Sequence, residues 1–341
     1  MKKLSKLFSL LLALAMVFAL ASCGSGSNAS TPSDSNTSTG SGADTSGGES
    51  YTVGICQLTQ HEALDAATQG FKDALTDKLG DAVKFNEQNA SGDSANCSTI
   101  IDGFLSDGVD LILANATAPL QAAAAATSEV PVLGTSVTDY ATALEIDDWT
   151  GTVGNNISGT SDLAPLDQQA AMLNEMFPDA KNVGLLYCSG EPNSVYQCTV
   201  IEGYLKEYGY NVEWYAFTDT NDVTSVAQTA ADSSDVIYIP TDNTAASNTE
   251  AIANVVLPAG VPVIAGEEGI AKGCGVATLS ISYYDLGYTT GEMAYEILVN
   301  GADVSTMPVE FAPEVTAKYN ATNCETLGIT PPEGYVAIEE G

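Results

Sequence analysis

The chain has no arginine, and His61 is its single histidine. Its ten basic residues, all lysines, face 44 acidic ones, for a formal net charge of −34 at pH 7. A surface of that sign offers no basic patch to nucleic acid or to an anionic membrane, so neither is expected as a partner. The missing arginine also denies a bound carboxylate the bidentate guanidinium fork. There is no G-x-S-x-G elbow, no H-E-x-x-H helix and no plausible triad, so the chain is not expected to be an enzyme. Neither acidic residues nor cysteines recur at metal-ligand spacing, and no metal or cofactor is expected. The acidity reads as a well-solvated surface. No apolar run is long enough for a comfortable membrane span.

What is present begins with Lys2, Lys3 and Lys6, an apolar run from Leu7 to Leu20, and then Leu20-Ala21-Ser22-Cys23. That is the pattern of a secretory signal over residues 1–22. Leu-Ala-Ser-Cys resembles the lipobox of bacterial lipoproteins, which implies a lipid on Cys23 as the only membrane attachment. Residues 23–50 are Ser, Gly, Thr, Asn and Asp with almost nothing apolar, and form a flexible linker.

From Tyr51 onward, short β-branched runs alternate with helical periodicity, the signature of parallel sheets flanked by helices. Tyr51 to Ile55 is strand-like. The polar joint Cys56 to Glu62 leads into a helix, with Leu64, Ala67, Phe71, Ala74, Leu75 and Leu79 spaced by three and four. The run Val109-Asp110-Leu111-Ile112-Leu113 is answered by Ser234-Asp235-Val236-Ile237-Tyr238, and Val130-Pro131-Val132 by Val261-Pro262-Val263. Two such cycles predict an α/β fold of two similar lobes. The first takes 51–158 plus 283–307 and the second 159–282 plus 308–341. A further strand of the first lobe is expected at Thr152-Val153-Gly154.

In open parallel sheets, ligands lie outside the carboxyl ends of the strands. The loops there are rich in hydroxyls and amides: Gln57 to His61, Asn115 to Thr117, Thr135 to Thr138, Ser189 to Ser194, Thr218 to Asn221, Thr241 to Thr244, and Gly266 to Gly269. Any one of these side chains could instead cap the helix that follows it. The convergence of several such loops is what points to a cleft between lobes.

Gln60-His61-Glu62-Ala63-Leu64-Asp65, Gln88-Asn89-Ala90-Ser91-Gly92-Asp93, Pro240-Thr241-Asp242-Asn243, Gly266-Glu267-Glu268-Gly269 and Tyr283-Tyr284-Asp285-Leu286-Gly287 occur in that order. Together they resemble the ABC-transporter substrate-binding proteins of the tryptophan/tyrosine-uptake type, over about Tyr51 to Ile329. The resemblance implies the type I periplasmic-binding fold, capture of a small amino acid-like solute, an ABC permease as partner, and action as a monomer on the outer face of the cytoplasmic membrane. Two positions depart from the pattern: Glu62 where proline is usual, and Cys188 where asparagine is common.

With no arginine, the carboxylate of such a solute falls to hydroxyls and N–H groups at helix starts, for which Thr135, Ser136, Asn193 and Ser194 are the candidates. Asp242, then Glu267, is the candidate partner of the ammonium, with capping as the alternative role of Asp242. Leu58, His61, Ala116 and Tyr283 are candidate walls for an aromatic side chain. Gln60, Asn115, Thr117, Thr138, Thr241 and Asn243 complete the expected site. A sugar or nucleoside receptor of the same fold is an alternative, although such sites stack rings on tryptophan and neither Trp149 nor Trp214 lies in these loops. A sensor feeding a signalling partner is another.

Six cysteines remain besides Cys23. Outside the cytoplasm they are free to pair. Cys188 with Cys198 is the favoured pair because they flank one strand-to-helix joint. Cys56 with Cys97 is a second possibility, and buried free thiols are the alternative.

Overall fold

The computed structural model describes residues 50–312 and 314–339. The expected signal, the lipid on Cys23 and all of the linker except Ser50 lie outside the described residues. In chain order the elements are β1 (Tyr51–Gln57), α1 (Glu62–Leu79), β2 (Val83–Asn89), α2 (Ser94–Asp107), β3 (Leu111–Asn115), α3 (Thr117–Ala126), β4 (Val132–Val137), α4 (Tyr140–Ala143) and β5 (Ile157–Ser161). They continue with α5 (Leu166–Met176), β6 (Asn182–Cys188), α6 (Pro192–Glu207), β7 (Asn211–Phe217), α7 (Val223–Ser233), β8 (Val236–Ile239), α8 (Asn243–Ala246), α9 (Thr249–Ala259), β9 (Val263–Ala265), α10 (Glu268–Gly273) and β10 (Ala277–Ser280). The last are α11 (Tyr283–Leu298), β11 (Glu310–Phe311), β12 (Thr316–Tyr319), α12 (Ala321–Leu327) and β13 (Val336–Ala337).

Two sheets result, ordered β11-β5-β4-β3-β1-β2 and β13-β12-β10-β9-β8-β6-β7. The inner orders 5-4-3-1-2 and 10-9-8-6-7 correspond strand for strand, so the paired sequence runs are equivalent strands: β3 with β8, and β4 with β9. All pairings are parallel except β10 with β12. The central strands are buried on both faces, which explains their continuous apolar runs. Separate apolar clusters fill the space between sheet and helices on each face of each sheet.

The chain crosses between sheets three times: after β5, after β10 and after β11. These crossings differ from the expected boundaries at 158 and 307. Ile157–Ser161 is a single strand of the first sheet, and Glu310–Phe311 pairs with it as that sheet's edge. The return of α11 to the first lobe rests on its packing against α1. The two backbones approach so closely that a Cβ on Gly287 would meet the carbonyl of Ala67, and one on Gly70 the carbonyl of Tyr284.

The strand expected at Thr152–Gly154 is instead β5. Its sequence, Ile-Ser-Gly-Thr-Ser, holds one large apolar residue, so no hydrophobic run marks it. It is buried all the same, because its hydroxyls find internal partners. Ser158 donates to the Met307 and Pro308 carbonyls, Thr160 bonds Thr290 at 2.8 Å, and Ser161 donates to the Thr138 carbonyl.

The six cysteines among the described residues are free and buried. The expected Cys188–Cys198 bridge is absent because the two thiols belong to different clusters, Cys188 with Phe217 and Ile239, and Cys198 with Tyr238 and Leu185. Cys56 and Cys97 share one apolar cluster of the first lobe, as free thiols.

Candidate functional site

The loops after β1, β5, β6, β8 and β9 meet, with the end of β4 and the start of α11, around an inner cavity. Its walls include His61, Ser136, Asp162, Asn193, Asn243 and Tyr283. Its volume is about 10 Å³, room for a single water molecule. A wider cleft of about 520 Å³ adjoins it and shares Asn193 and Asn243 as walls. Two direct contacts span the lobes here. His61 Nε2 lies 3.1 Å from Asn243 Oδ1, and Lys272 on α10 pairs with Glu62 on α1 at 3.1 Å. The second contact uses the residue that departs from the expected proline. Being exposed, it contributes little to stability.

The first-lobe wall is shaped by an irregularity. The β4–β5 register shifts between Gly134 and Val137, and within that bulge Ser136 adopts φ = 53°, a left-handed conformation rarely taken by serine. Ala116, capping α3 at the neighbouring strand end, has φ = 100°. Non-glycine residues held this way mark segments where the surrounding fold imposes the backbone path.

Four buried side-chain atoms lack a hydrogen-bond partner among the described residues: Asn115 Oδ1, Ser136 Oγ, Asp162 Oδ1 and Thr278 Oγ1. Ser136 and Asp162 both line the inner cavity. The Asp162 carboxyl is held at one oxygen only, where Tyr283 donates to Oδ2 at 2.8 Å. Burial raises the pKa of Asp162, against the opposing hydrogen bond from Tyr283. A buried carboxylate oxygen with no donor is costly, and a cation in the cavity removes that cost.

The second-lobe wall differs. Asp242 Oδ2 accepts from the Cys188 N–H at 2.7 Å and Oδ1 from the Ala245 N–H at 2.8 Å, capping α8 and tying it to β6. Glu267 accepts from the Gly269 and Ile270 N–H groups, both at 2.6 Å, and caps α10. Glu191 accepts from the backbone and side chains of Asn243 and Thr244. Burial pushes Glu267 up to about 7 and raises Asp242, which the nearby Glu191 raises further. Capping is therefore the observed occupation of Asp242 and Glu267, the two carboxylates expected to meet an ammonium.

Of the other expected residues, His61, Ser136, Asn193, Thr241, Asn243 and Tyr283 reach the inner cavity, while Leu58 and Thr117 line the wider cleft. Gln60 is exposed and lines neither. Ala116 belongs to the core of the first lobe. Asn115 ties β3 to α1 through the Leu64 carbonyl and the Thr68 hydroxyl. Thr135 bonds Thr160 within the sheet, Thr138 accepts from Ser161 at its carbonyl, and the Ser194 hydroxyl accepts from Asn193 Nδ2. Trp149 stacks on Tyr140 at 6.5 Å and Trp214 meets Tyr187 edge-on at 5.2 Å. Asp162 was missed because it follows β5, the strand without an apolar run. The polar run Ser158 to Asp162, read as a strand, would have placed it at a strand end. Among the described residues, no group of three or more His, Cys, Asp or Glu is arranged to hold a metal ion.

The profile of the family described as "ABC transporter substrate binding protein" matches residues 52–338. A tyrosine-binding protein of Clostridioides difficile (strain R20291) is 34% identical over 286 residues, 83% of this chain and 82% of that protein. The structure resembles that of an ABC domain from Streptococcus pneumonia in complex with L-Trp, with a TM-score of 0.81 at 29% identity, covering 85% of this chain and 100% of that one. It resembles the ligand-free, open structure of a substrate-binding protein with adhesive properties from Clostridium difficile with a TM-score of only 0.65, although the identity is 35% and the coverage is again 85% and 100%. Family, fold and cleft agree: the chain belongs to the ABC transporter substrate-binding family.

Proposed function

We propose that this protein captures an aromatic amino acid outside the cytoplasmic membrane and delivers it to an ABC importer. Asp162 takes the α-ammonium on Oδ1, Ser136 donates its hydroxyl to the α-carboxylate, and Leu64, Ala246 and Tyr283 wall the side chain. The observation that carries this reading is the pair of buried, unpartnered atoms, Ser136 Oγ and Asp162 Oδ1, on one cavity. The pair offers one hydrogen-bond donor and one acceptor, as the two charged groups of an amino acid require. The relatives that bind tyrosine and L-Trp support the aromatic class. An inner cavity of about 10 Å³ cannot admit such a ligand while shut, so capture requires the lobes to part and close again. Processing at Cys23 would leave a lipid-anchored monomer on its linker, with a permease as its partner.

Titration calorimetry of residues 51–341 with L-Trp, L-Tyr, L-Phe, a nucleoside and a hexose tests this. Binding of at least one aromatic amino acid, and of neither the nucleoside nor the hexose, is expected. Heat from the hexose or nucleoside alone would refute it.

A further inference from the structure

The hydrogen bonds around Asn243 run in one direction. Glu191, the N-cap residue before α6, carries no proton to donate when ionised, so every group it touches must donate to it. Its Oε2 accepts from the Asn243 backbone N–H at 3.0 Å and from Asn243 Nδ2 at 2.8 Å. Its Oε1 accepts from the Thr244 N–H at 2.8 Å and from the Thr244 hydroxyl at 2.7 Å. Turning the Asn243 amide over would set its oxygen against this carboxylate, so Glu191 fixes the amide with Oδ1 facing away. That oxygen faces His61 Nε2 across the cleft at 3.1 Å, and an acceptor there requires a proton on Nε2.

The other ring nitrogen, Nδ1, has no hydrogen-bond partner in the protein among the described residues, and the ring lines the inner cavity. Other titratable groups near the ring are Asp65 on its own element, and Asp162, Asp242, Glu267 and Tyr283 around the cavity. Desolvation lowers the pKa of the imidazole, opposed by the Asn243 bond and by the charges of Glu191 and Asp65. The ring is therefore neutral above its ordinary pKa of about 6.5, with a lone pair on Nδ1.

We propose that Glu191 is a positioning residue for the ligand site: acting through Asn243, it holds His61 across the closed cleft as the Nε2–H tautomer, and so presents Nδ1 as an acceptor for an N–H or O–H of the captured ligand. Selection of a donor-bearing ligand by His61 rests on the proposed capture of an amino acid. The tautomer itself does not. The same relay joins the first lobe to the start of α8 only when the cleft is shut, so ligand contact and closure use one side chain.

His61 is the only histidine, so the imidazole ¹⁵N spectrum of uniformly labelled protein reports this site alone. At pH 7.5 the Nε2–H tautomer is expected with saturating L-tyrosine, which holds the cleft shut. In Glu191→Ala the carboxylate that opposes an inward-facing Asn243 Oδ1 is gone, so the amide is free to turn over. The Nδ1–H tautomer then appears beside Nε2–H, and L-tyrosine binds about tenfold more weakly. Should that variant fail to fold, Asn243→Ala removes the acceptor while the Thr244 contacts of Glu191 remain. Its His61 is expected to lose the single-tautomer signature and, without the bond that favours the protonated ring, to titrate at a lower pH than in the wild type. A wild-type ring found as Nδ1–H or as imidazolium, or a tautomer unchanged in both variants, overturns the proposal. Absence of amino-acid heat in calorimetry with an Nε2–H ring would overturn the proposed ligand and leave the relay standing.

Discussion

Asp162 and Asp242 are the same residue type, both buried, each just beyond a buried strand, and they face one cavity from opposite lobes. Asp242 has both oxygens on backbone N–H groups, whereas Asp162 has one oxygen on Tyr283 and the other on nothing. A satisfied buried carboxylate stabilises its own lobe. An unsatisfied one destabilises it until something cationic arrives. Burial and charge do not distinguish the two roles; the hydrogen-bond inventory does.

The widest separation is expected between two variants. Asp162→Asn keeps the Tyr283 contact and removes the charge. Amino-acid affinity should fall about 100-fold, as for loss of a charged hydrogen bond of about 3 kcal/mol. The melting temperature without ligand should stay level or rise. Asp242→Ala should lower stability by about 3 kcal/mol through the lost cap and the stranded Cys188 N–H. Equal loss of stability in the two variants would erase the distinction between the lobes.

Ser136 sharpens the first-lobe side. Ser136→Ala is expected to weaken binding about tenfold, the worth of one hydrogen bond to a charged group. Ser136→Gly should lose the same bond while relaxing the left-handed backbone, so its unliganded melt should lie above that of Ser136→Ala. Identical melts would mean that the bulge stores no strain.

The pH dependence of stability should run opposite to that of binding. The folded state holds Glu267 at about 7, above its unfolded value of about 4.3, and so binds more protons than the unfolded chain between those values. Stability of the ligand-free protein should therefore fall as pH rises from about 4.3 to 7. Asp162, also raised, must ionise to hold an ammonium, so affinity should fall as pH is lowered through its folded pKa. Parallel trends in thermal melts and calorimetry would count against Asp162 as the ammonium partner.

The smallest effect concerns the thiols. A disulfide would contribute about 2–4 kcal/mol, so with Cys188 and Cys198 free a reductant should leave the melt unchanged. Thiol reagents should find six cysteines in the unfolded body of residues 51–341 and almost none in the native one.

The two-lobed α/β plan was legible in the sequence because buried parallel strands must be apolar along their whole length. The runs at Val109 and Val236, and the two Val-Pro-Val strands, announce equivalent positions before any coordinates. The loops that carry the site were legible for the same reason, since each follows a readable strand. What escaped was β5, whose burial depends on hydroxyls that meet Met307, Thr290 and Thr138 from distant parts of the chain. With it escaped Asp162, the residue that follows. The sequence alone located most of the loops from which side chains could reach a cleft, and, by lacking arginine, excluded a guanidinium fork for a bound carboxylate. Only the tertiary structure decided which carboxylates are already spent on backbone N–H groups and which is left open, because hydrogen-bond satisfaction is a property of neighbours in space.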